Sequence, residues 1–587
     1  MMAKFFSIEN LKSVLGSFIT ALGRFPVTLV CSLAGTIFFV MLATDEEHSK
    51  EVEKLATTFL LFLPLFFSAE VFEERKIIPR FVVVGLTVLA FLAFYFFGSP
   101  AAADIFYNKS YMIKYGVLVI VFHLLASVAP YVLKNNPSGF WQYNKTLFIN
   151  ILTAFLYGGT LSAGLVLAFS GIQNLFELKL SNDWYVYILF GVNGFLNTLI
   201  FTAKLPSLER IDAETEFPIG LKYFTQYVLL PLVAIYLGIL VAYEAKITLQ
   251  WSLPQGWVST MVLASAIFGI LAFLLIYPLK EANKWIQTYT KLYYWILLPL
   301  VALMMVAIYV RISQYGLTEP RFFVVVLAVW LLGVSLYFSI SKVDNIKIIP
   351  LSLLLVGLFG IYAPFNAFQS SRINQEVRLD KVLNKYKLLK DGKILVQANT
   401  KLDSVDLDKV LAALEYLSKN QPERLEKYLS KNNFDELIAT ENEFERSQLV
   451  VKLTGFPESS DFDIYYNFSA KNQGFLELGK ADFLIYSDGF RANPDGFKQS
   501  VESLKIENDA FDYSLSQNQL TIIINSKENV RFDLNSLVKL DASDVALSDL
   551  AFLKDSKKYK MKLYVESGNS KNGVLVNVTW KLLLTKK

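Results

Sequence analysis

The sequence predicts an α-helical polytopic membrane bundle of about eleven transmembrane helices, followed by a soluble α+β, mostly antiparallel β, C-terminal domain. Three observations carry this expectation. The 587 residues are 54% hydrophobic and 15% aromatic with a mean hydropathy of +0.40, too apolar for an ordinary soluble chain. Charge is unevenly placed: 44 of the first 370 residues are Lys, Arg, Asp or Glu, against 64 of the remaining 217. Two solvents are implied, lipid first and water after. The spacing of apolar residues also changes along the chain, from unbroken runs to helical spacing and then to alternation by two.

A hydrocarbon core of roughly 30 Å needs about 20 apolar residues per helix. Eleven runs meet that length: Phe25 to Ala43, Leu55 to Phe72, Ile78 to Phe97, Met112 to Leu133, Leu147 to Ile172, Trp184 to Ala203, Leu221 to Ala245, Trp257 to Leu279, Leu292 to Val310, Phe322 to Ile340 and Ile348 to Phe368. They assign residues 25–370 to the membrane. Ahead of them, Ile8, Leu11, Leu15, Phe18, Ile19 and Leu22 fall at helical spacing with Lys4, Glu9 and Lys12 outside the stripe. That pattern predicts an amphipathic helix in residues 1–24 lying in the cytoplasmic interface. No cleavable signal peptide is evident.

Orientation follows from Lys and Arg in the short flanks. One set of alternate flanks holds 16, including Arg24, Arg75, Arg80, Lys134, Lys145, Arg210 and Lys347; the opposite set holds 8. The bias predicts a cytoplasmic N-terminus, and an odd number of crossings puts the C-terminal part outside, which in a Gram-negative cell is the periplasm beyond the inner membrane. Residues 371–445 read as a helical membrane-proximal part: Val382, Leu383, Tyr386 and Leu389 share a face, and Asp406 is placed to cap a helix through Val410, Leu411, Leu414 and Leu417. Residues 446–587 read as β-rich, with strands expected at Leu449 to Leu453, Phe462 to Phe468, Phe483 to Tyr486, Leu520 to Ile524, Met561 to Val565 and Val574 to Leu584.

Several chemistries are excluded by composition. The net charge of +4 lies wholly in the first 370 residues, so the tail has no basic field for nucleic acid. A single cysteine, Cys31, forbids an intramolecular disulfide. Neither Cys nor His follows His123, so the tail supplies no Ser-His-Asp or Cys-His nucleophile and no imidazole or thiolate zinc site. No cofactor and no metal are expected. The nearest carboxylate group, Asp403, Asp406 and Asp408, is more simply a solvated helix start.

Ionisable and amide groups within hydrocarbon are expensive and need an explanation. The intramembrane polar candidates are His123, Asn193, Asn197 and Gln226, with Glu70 near one helix end. Interhelical packing is the simpler reading, since Gly158, Gly159, Gly191 and Gly194 bring neighbouring helices close. Asp45 and Glu46, in the short loop after the first run, are weak catalytic candidates. The segment from Arg311 to Arg321 stands out because two arginines occupy a flank that the charge rule predicts to be poor in them. Arg311, Tyr315, Glu319 and Arg321 are therefore expected to form a binding or coupling cluster, against the chain around Arg372 to Arg378 or around a lipid phosphate. The local alternative is a pair between one arginine and Glu319.

This segment also carries a resemblance. Ala307-Ile308-Tyr-Val-Arg311-Ile312-Ser-Gln-Tyr315-Gly316-Leu317-Thr318-Glu319-Pro-Arg321-Phe322 resembles the signature of the bacterial domain-of-unknown-function 4153 membrane family. Phe217-Pro218-Ile-Gly-Leu221-Lys222-Tyr-Phe224-Thr225-Gln226-Tyr227, Pro254-Gln-Gly256-Trp257-Val258-Ser259, Pro364-Phe365-Asn-Ala367-Phe368 and Arg372-Ile-Asn-Gln375 with Arg378-Leu379 are similar to it too. The likeness spans roughly residues 20 to 395 and implies a multi-pass membrane protein without an established activity.

Three functions remain open from the sequence. The first is a non-catalytic envelope protein that binds, senses or scaffolds, with the bilayer and an anionic lipid or envelope protein as partners. The second is a membrane enzyme resembling glycosyltransferases that use lipid-linked sugars, with Asp45 or Glu46 as its acidic group. The third is a transporter built from a helix-hairpin repeat, since Leu229-Leu230-Pro231-Leu232-Val233-Ala234 recurs as Leu297-Leu298-Pro299-Leu300-Val301-Ala302 and Gly269 answers Gly333.

Overall fold

The computed structural model describes the chain outside residues 1–7, 46–48, 251–257, 281–282, 342–344, 396–401, 441, 457–464, 471–481, 492–503, 507–508, 517, 541, 547 and 572–573. Among the described residues, ten helices are long and apolar enough to cross a membrane, and the bent pair Ile348–Tyr362 and Ala367–Lys385 brings the number to eleven if it counts as one span. The protein is a multi-pass helical membrane bundle followed by antiparallel β-sheet. Two compact units make up the chain, Met1–Gly455 and Phe456–Lys587.

The first unit begins with α1 (Ile8–Arg24), α2 (Pro26–Thr44), α3 (Lys50–Glu73) and α4 (Arg80–Phe97). Pro26 opens α2 at a position whose N–H would have no helical partner, and Ser49 caps α3 by accepting from the Val52 amide. After the short α5 (Ala102–Tyr107), Asn108 caps α6 (Lys109–Val128) and Asn136 caps the 39-residue α7 (Pro137–Leu175). One span is built from α8 (Asp183–Phe190), a π-helical stretch at Gly191–Leu196 and α9 (Asn197–Ala203). The short α10 (Leu208–Ala213) leads to α11 (Ile219–Phe224), a second π-helical stretch at Thr225–Leu229 and α12 (Leu230–Leu249). Then come α13 (Val258–Ile276), α14 (Lys284–Tyr315), α15 (Glu319–Ile340), α16 (Ile348–Tyr362) and α17 (Ala367–Lys385). Phe273, Tyr293, Tyr294, Leu297 and Phe338 lie in the buried centre of α13 to α15, while Phe97, Phe155, Leu167 and Ile267 face outward, as lipid-solvated helices require. The two matched glycines of the repeat differ in surroundings: a Cβ at Gly269 would strike the Tyr293 ring, whereas one at Gly333 would meet nothing.

One end of the bundle is tied by polar pairs. The Asp212 carboxylate accepts from Arg75 (2.6 Å), Lys134 (2.7 Å), Tyr131 (2.8 Å) and Asn136 (3.2 Å). Burial alone would raise this carboxyl, but hydrogen bonds from Arg75, Lys134 and Tyr131 outweigh it and hold the group down at about 2. Glu70, fully buried in α3, accepts from the Val27 and Thr28 amides at 3.0 Å and from Arg80 at 3.1 Å. Its intramembrane carboxylate thus caps the N-terminus of α2, where the helix dipole favours an anion. Lys347 donates to the Tyr131 carbonyl at 2.8 Å, which brings the chain before α16 to the same end.

Beyond the spans, α17 runs unbroken through residue 370 to Lys385 and leads into the hairpin β1 (Leu389–Lys390) and β2 (Lys393–Ile394). Next are α18 (Ser404–Asn420), α19 (Lys431–Ala439) and α20 (Glu443–Thr454). Two expectations are corrected here. Asp406 is not the cap of α18, which starts at Ser404; its carboxylate instead pairs with Lys385 (2.5 Å) and Lys409 (2.8 Å), and those two hydrogen bonds bring it down to about 2. Leu449 to Leu453 is helix and not strand. Asn442 caps α20 on the Phe444 and Glu445 amides, Gly455 ends it in the left-handed region at φ 74°, and Ser447, Val450, Val451 and Thr454 are buried at helical spacing. Two adjacent valines gave the appearance of a strand, and the caps outweigh them.

The second unit is β-rich. Its larger sheet runs β4 (Phe483–Arg491), β12 (Val574–Lys586), β11 (Tyr559–Lys571), β3 (Tyr465–Ala470) and β9 (Ala542–Val545), with β10 (Ala551–Asp555) also on β11. All pairs are antiparallel except β3 with β9. A second antiparallel sheet has the order β5 (Leu504–Ile506), β6 (Asp509–Ser516), β7 (Gln519–Ile524) and β8 (Glu528–Asp533). Trp580, Tyr559, Phe532, Leu582 and Leu584 fill the core between them. Asp509 joins the sheets, accepting from Lys558 and Tyr559 at 2.6 Å, and these contacts hold its carboxyl well below the usual range.

Candidate functional site

At the end of α15 remote from Lys347, the short turn between α14 and α15 is gripped by α17. The Arg378 guanidinium closes the C-terminus of α14: Nη2 donates to the Gln314 carbonyl (2.8 Å) and Nη1 to the Ser313 (3.0 Å) and Ile312 (3.4 Å) carbonyls, the last of which also accepts from the Gly316 amide. The chain leaves α14 through Gly316 at φ 78°, a conformation L side chains rarely adopt. A Cβ there would lie 2.5 Å from Gln375 Nε2, so only glycine lets the turn reach α17. Gln375 Nε2 donates to the Leu317 carbonyl at 2.9 Å, and Asn374 Oδ1 accepts from the Leu317 amide at 2.8 Å. Every polar group of Leu317 is thereby held by one face of α17.

A second contact lies beside the first. Glu319 begins α15 and is 2% exposed. Its carboxylate accepts the phenol hydrogen of Tyr416 from α18. Burial, followed by the Glu319 charge, pushes the Tyr416 phenol well up, so it stays a donor. Together these bonds fasten α17 and α18 to the turn between two membrane helices.

Tyr315 is half exposed on the outer side of this clasp. The Arg311 and Arg321 guanidinium carbons lie 5.6 Å and 5.5 Å from its ring centre, within cation–π range. Arg321 Nη1 donates to the Gly316 carbonyl at 2.7 Å and the Tyr315 carbonyl at 3.3 Å. Among the described residues, neither arginine meets a carboxylate: the acidic partner is absent, and Glu319 is turned to Tyr416. The structure therefore brings Arg311, Tyr315 and Arg321 together around one ring and places the Glu319 carboxylate on Tyr416. Asn374, Gln375, Arg378 and Tyr416 complete the arrangement. The first three lie in the stretch from Arg372 to Arg378 that the sequence offers as a partner for this segment, whereas the sequence does not mark Tyr416.

The remaining candidates are dispersed. His123 is on an exposed face of α6, its Nδ1 2.8 Å from the Val119 carbonyl, on the wall of a cavity of about 300 Å³ shared with Thr28, Asn197 and Thr198. Asn193 donates to Ser162 at 2.8 Å. Asn197 packs on Gly158, where a Cβ would collide with its amide. Gln226 is half-buried in the π-helical stretch Thr225–Leu229. Asp45 follows α2 and lines none of the cavities of about 590, 380 and 300 Å³; Glu46 lies outside the described residues. The cavity of about 590 Å³, between α6, α7, α13, α15 and α16, is lined mainly by apolar side chains such as Leu124, Phe148, Ile270 and Leu331.

The family described as "Domain of unknown function (DUF4153)" matches residues 29–404. The chain belongs to this family. An uncharacterized protein of Pasteurella multocida (strain Pm70) is 24% identical over 367 residues, covering 62% of this chain and 60% of its own length. No solved structure matches. The DUF4153 region contains the turn, Arg311, Arg321 and the whole of α17, while Tyr416 lies beyond it.

Proposed function

We propose that this DUF4153 member is a non-catalytic envelope protein that binds or senses at the outer face of the bacterial inner membrane, with its N-terminus in the cytoplasm. Residues 367–455 act as a collar that transmits a binding event to α14 and α15. The observation that carries this reading is the clasp: four side chains from α17 and α18 hold the three-residue turn and Glu319. A loosely tethered soluble part would need no such bonds. The two-to-one excess of basic residues in the first set of flanks supports the orientation.

The test is a fusion series. Alkaline phosphatase joined after Gly455 should be active and a cytoplasmic reporter at the same point silent; the reverse pattern overturns the orientation and the reading with it.

A further inference from the structure

The clasp leaves an electrostatic imbalance. Arg311, Arg321 and Arg378 surround a turn whose adjoining carboxylate, Glu319, is buried against Tyr416. Arg321 feels the charge of both Arg311 and Arg378. Like charges this close repel, and the cation–π contacts with Tyr315 and the carbonyl bonds offset that repulsion only in part. Donor capacity is also left over. Among the described residues Arg311 donates no hydrogen bond, Arg321 donates only through Nη1, and Arg372 Nε and Arg378 Nε are buried without a partner.

Location narrows what would satisfy these groups. The α14 and α15 spans end at this turn, so Arg311, Tyr315 and Arg321 sit where hydrocarbon gives way to headgroups. A planar guanidinium fork matches the oxygens of a phosphate, and two such forks contact one aromatic ring here. We infer that Arg311 and Arg321, flanking Tyr315, form a binding site for a phosphate group at the membrane surface. The inference rests on the collar reading above and names its ligand class. A phosphate bound here is in position to neutralise the turn that α17 grips, which links occupancy to the seating of the collar. The phosphate is carried by an anionic lipid headgroup or by a soluble phosphate, and competition separates the two.

The full-length protein, purified in detergent, is incubated with phosphatidylglycerol, and the lipid retained is counted by native mass spectrometry for wild type, Arg311→Gln and the double variant Arg311→Gln/Arg321→Gln. Among the described residues Arg311 makes no hydrogen bond, so its replacement leaves the clasp intact. Wild type should retain the lipid about tenfold better than the double variant, with Arg311→Gln between them. If millimolar inorganic phosphate displaces the lipid, the ligand is soluble phosphate; if it does not, the ligand is a headgroup. Equal retention by all three proteins, with no protection by inorganic phosphate against thermal unfolding, overturns the site. Trypsin resistance of residues 367–455 is read on the same samples: a collar still protected in a variant that has lost the lipid isolates the site, whereas a collar already open in wild type overturns the collar reading itself.

Discussion

Tyr416 donates its phenol hydrogen to the buried carboxylate of Glu319, a residue 97 positions earlier that begins a membrane-spanning helix. The bond joins a segment built for water to one built for lipid. Removing one partner is costlier than removing both, because a buried carboxylate without its donor keeps the full desolvation penalty. Tyr416→Phe is therefore expected to lower stability by about 2 kcal/mol, and Glu319→Gln by less. Thermal unfolding in detergent reads both, and a larger loss in Glu319→Gln would refute the assignment of Tyr416 as donor and Glu319 as acceptor.

Gly316 gives an independent test of the turn. Its positive φ and the 2.5 Å approach of Gln375 to a built Cβ both oppose any side chain. Gly316→Ala should cost about 1 to 3 kcal/mol and separate α17 from the turn. Limited trypsin digestion should then cut within residues 367–385, and a digestion pattern identical to wild type would show that the turn does not hold α17.

At the opposite end, the Asp212 carboxyl is held near 2, below the value of about 4 for an unfolded aspartate. A depressed folded value means that the stabilisation is complete above about pH 4 and is lost as pH falls from there toward 2. Asp212→Asn should lower the unfolding midpoint at neutral pH and flatten the acid dependence between pH 4 and 2. Superimposable acid limbs for the two proteins would contradict the pairing with Arg75 and Lys134.

Glu70 makes a related prediction for the helix it caps. Glu70→Ala leaves the Val27 and Thr28 amides and Arg80 without their acceptor, and should destabilise the bundle by about 3 kcal/mol. Glu70→Gln keeps an acceptor and should lose less than half of that, as measured by urea unfolding in mild detergent.

What was legible in the sequence follows what is local. Spans are set by hydropathy over one window, so the apolar runs from Phe25 to Ile340 match helices that the structure forms. Capping competes with pattern over a few residues, and that is where Leu449 to Leu453 misled: Asn442 and Gly455 decide the helix from outside the apolar stretch. Glu70 and Asp212 each draw partners from several flanks, an arrangement no periodicity encodes. The segment from Arg311 to Arg321 was visible because its charge broke a rule. The stretch from Arg372 to Arg378 was visible beside it, but the bonds of Gln375 and Arg378 go to backbone, which carries no sequence signal, and Tyr416 is one tyrosine among 30.

Coupling between the collar and the membrane helices is tested most directly by hydrogen exchange on the full-length protein, comparing wild type with Tyr416→Phe. Breaking one phenol contact on α18 should raise amide exchange in residues 312–320 as well as in 404–420, because the turn is held by the same set of bonds. Faster exchange confined to residues 404–420, with 312–320 unchanged, would contradict it.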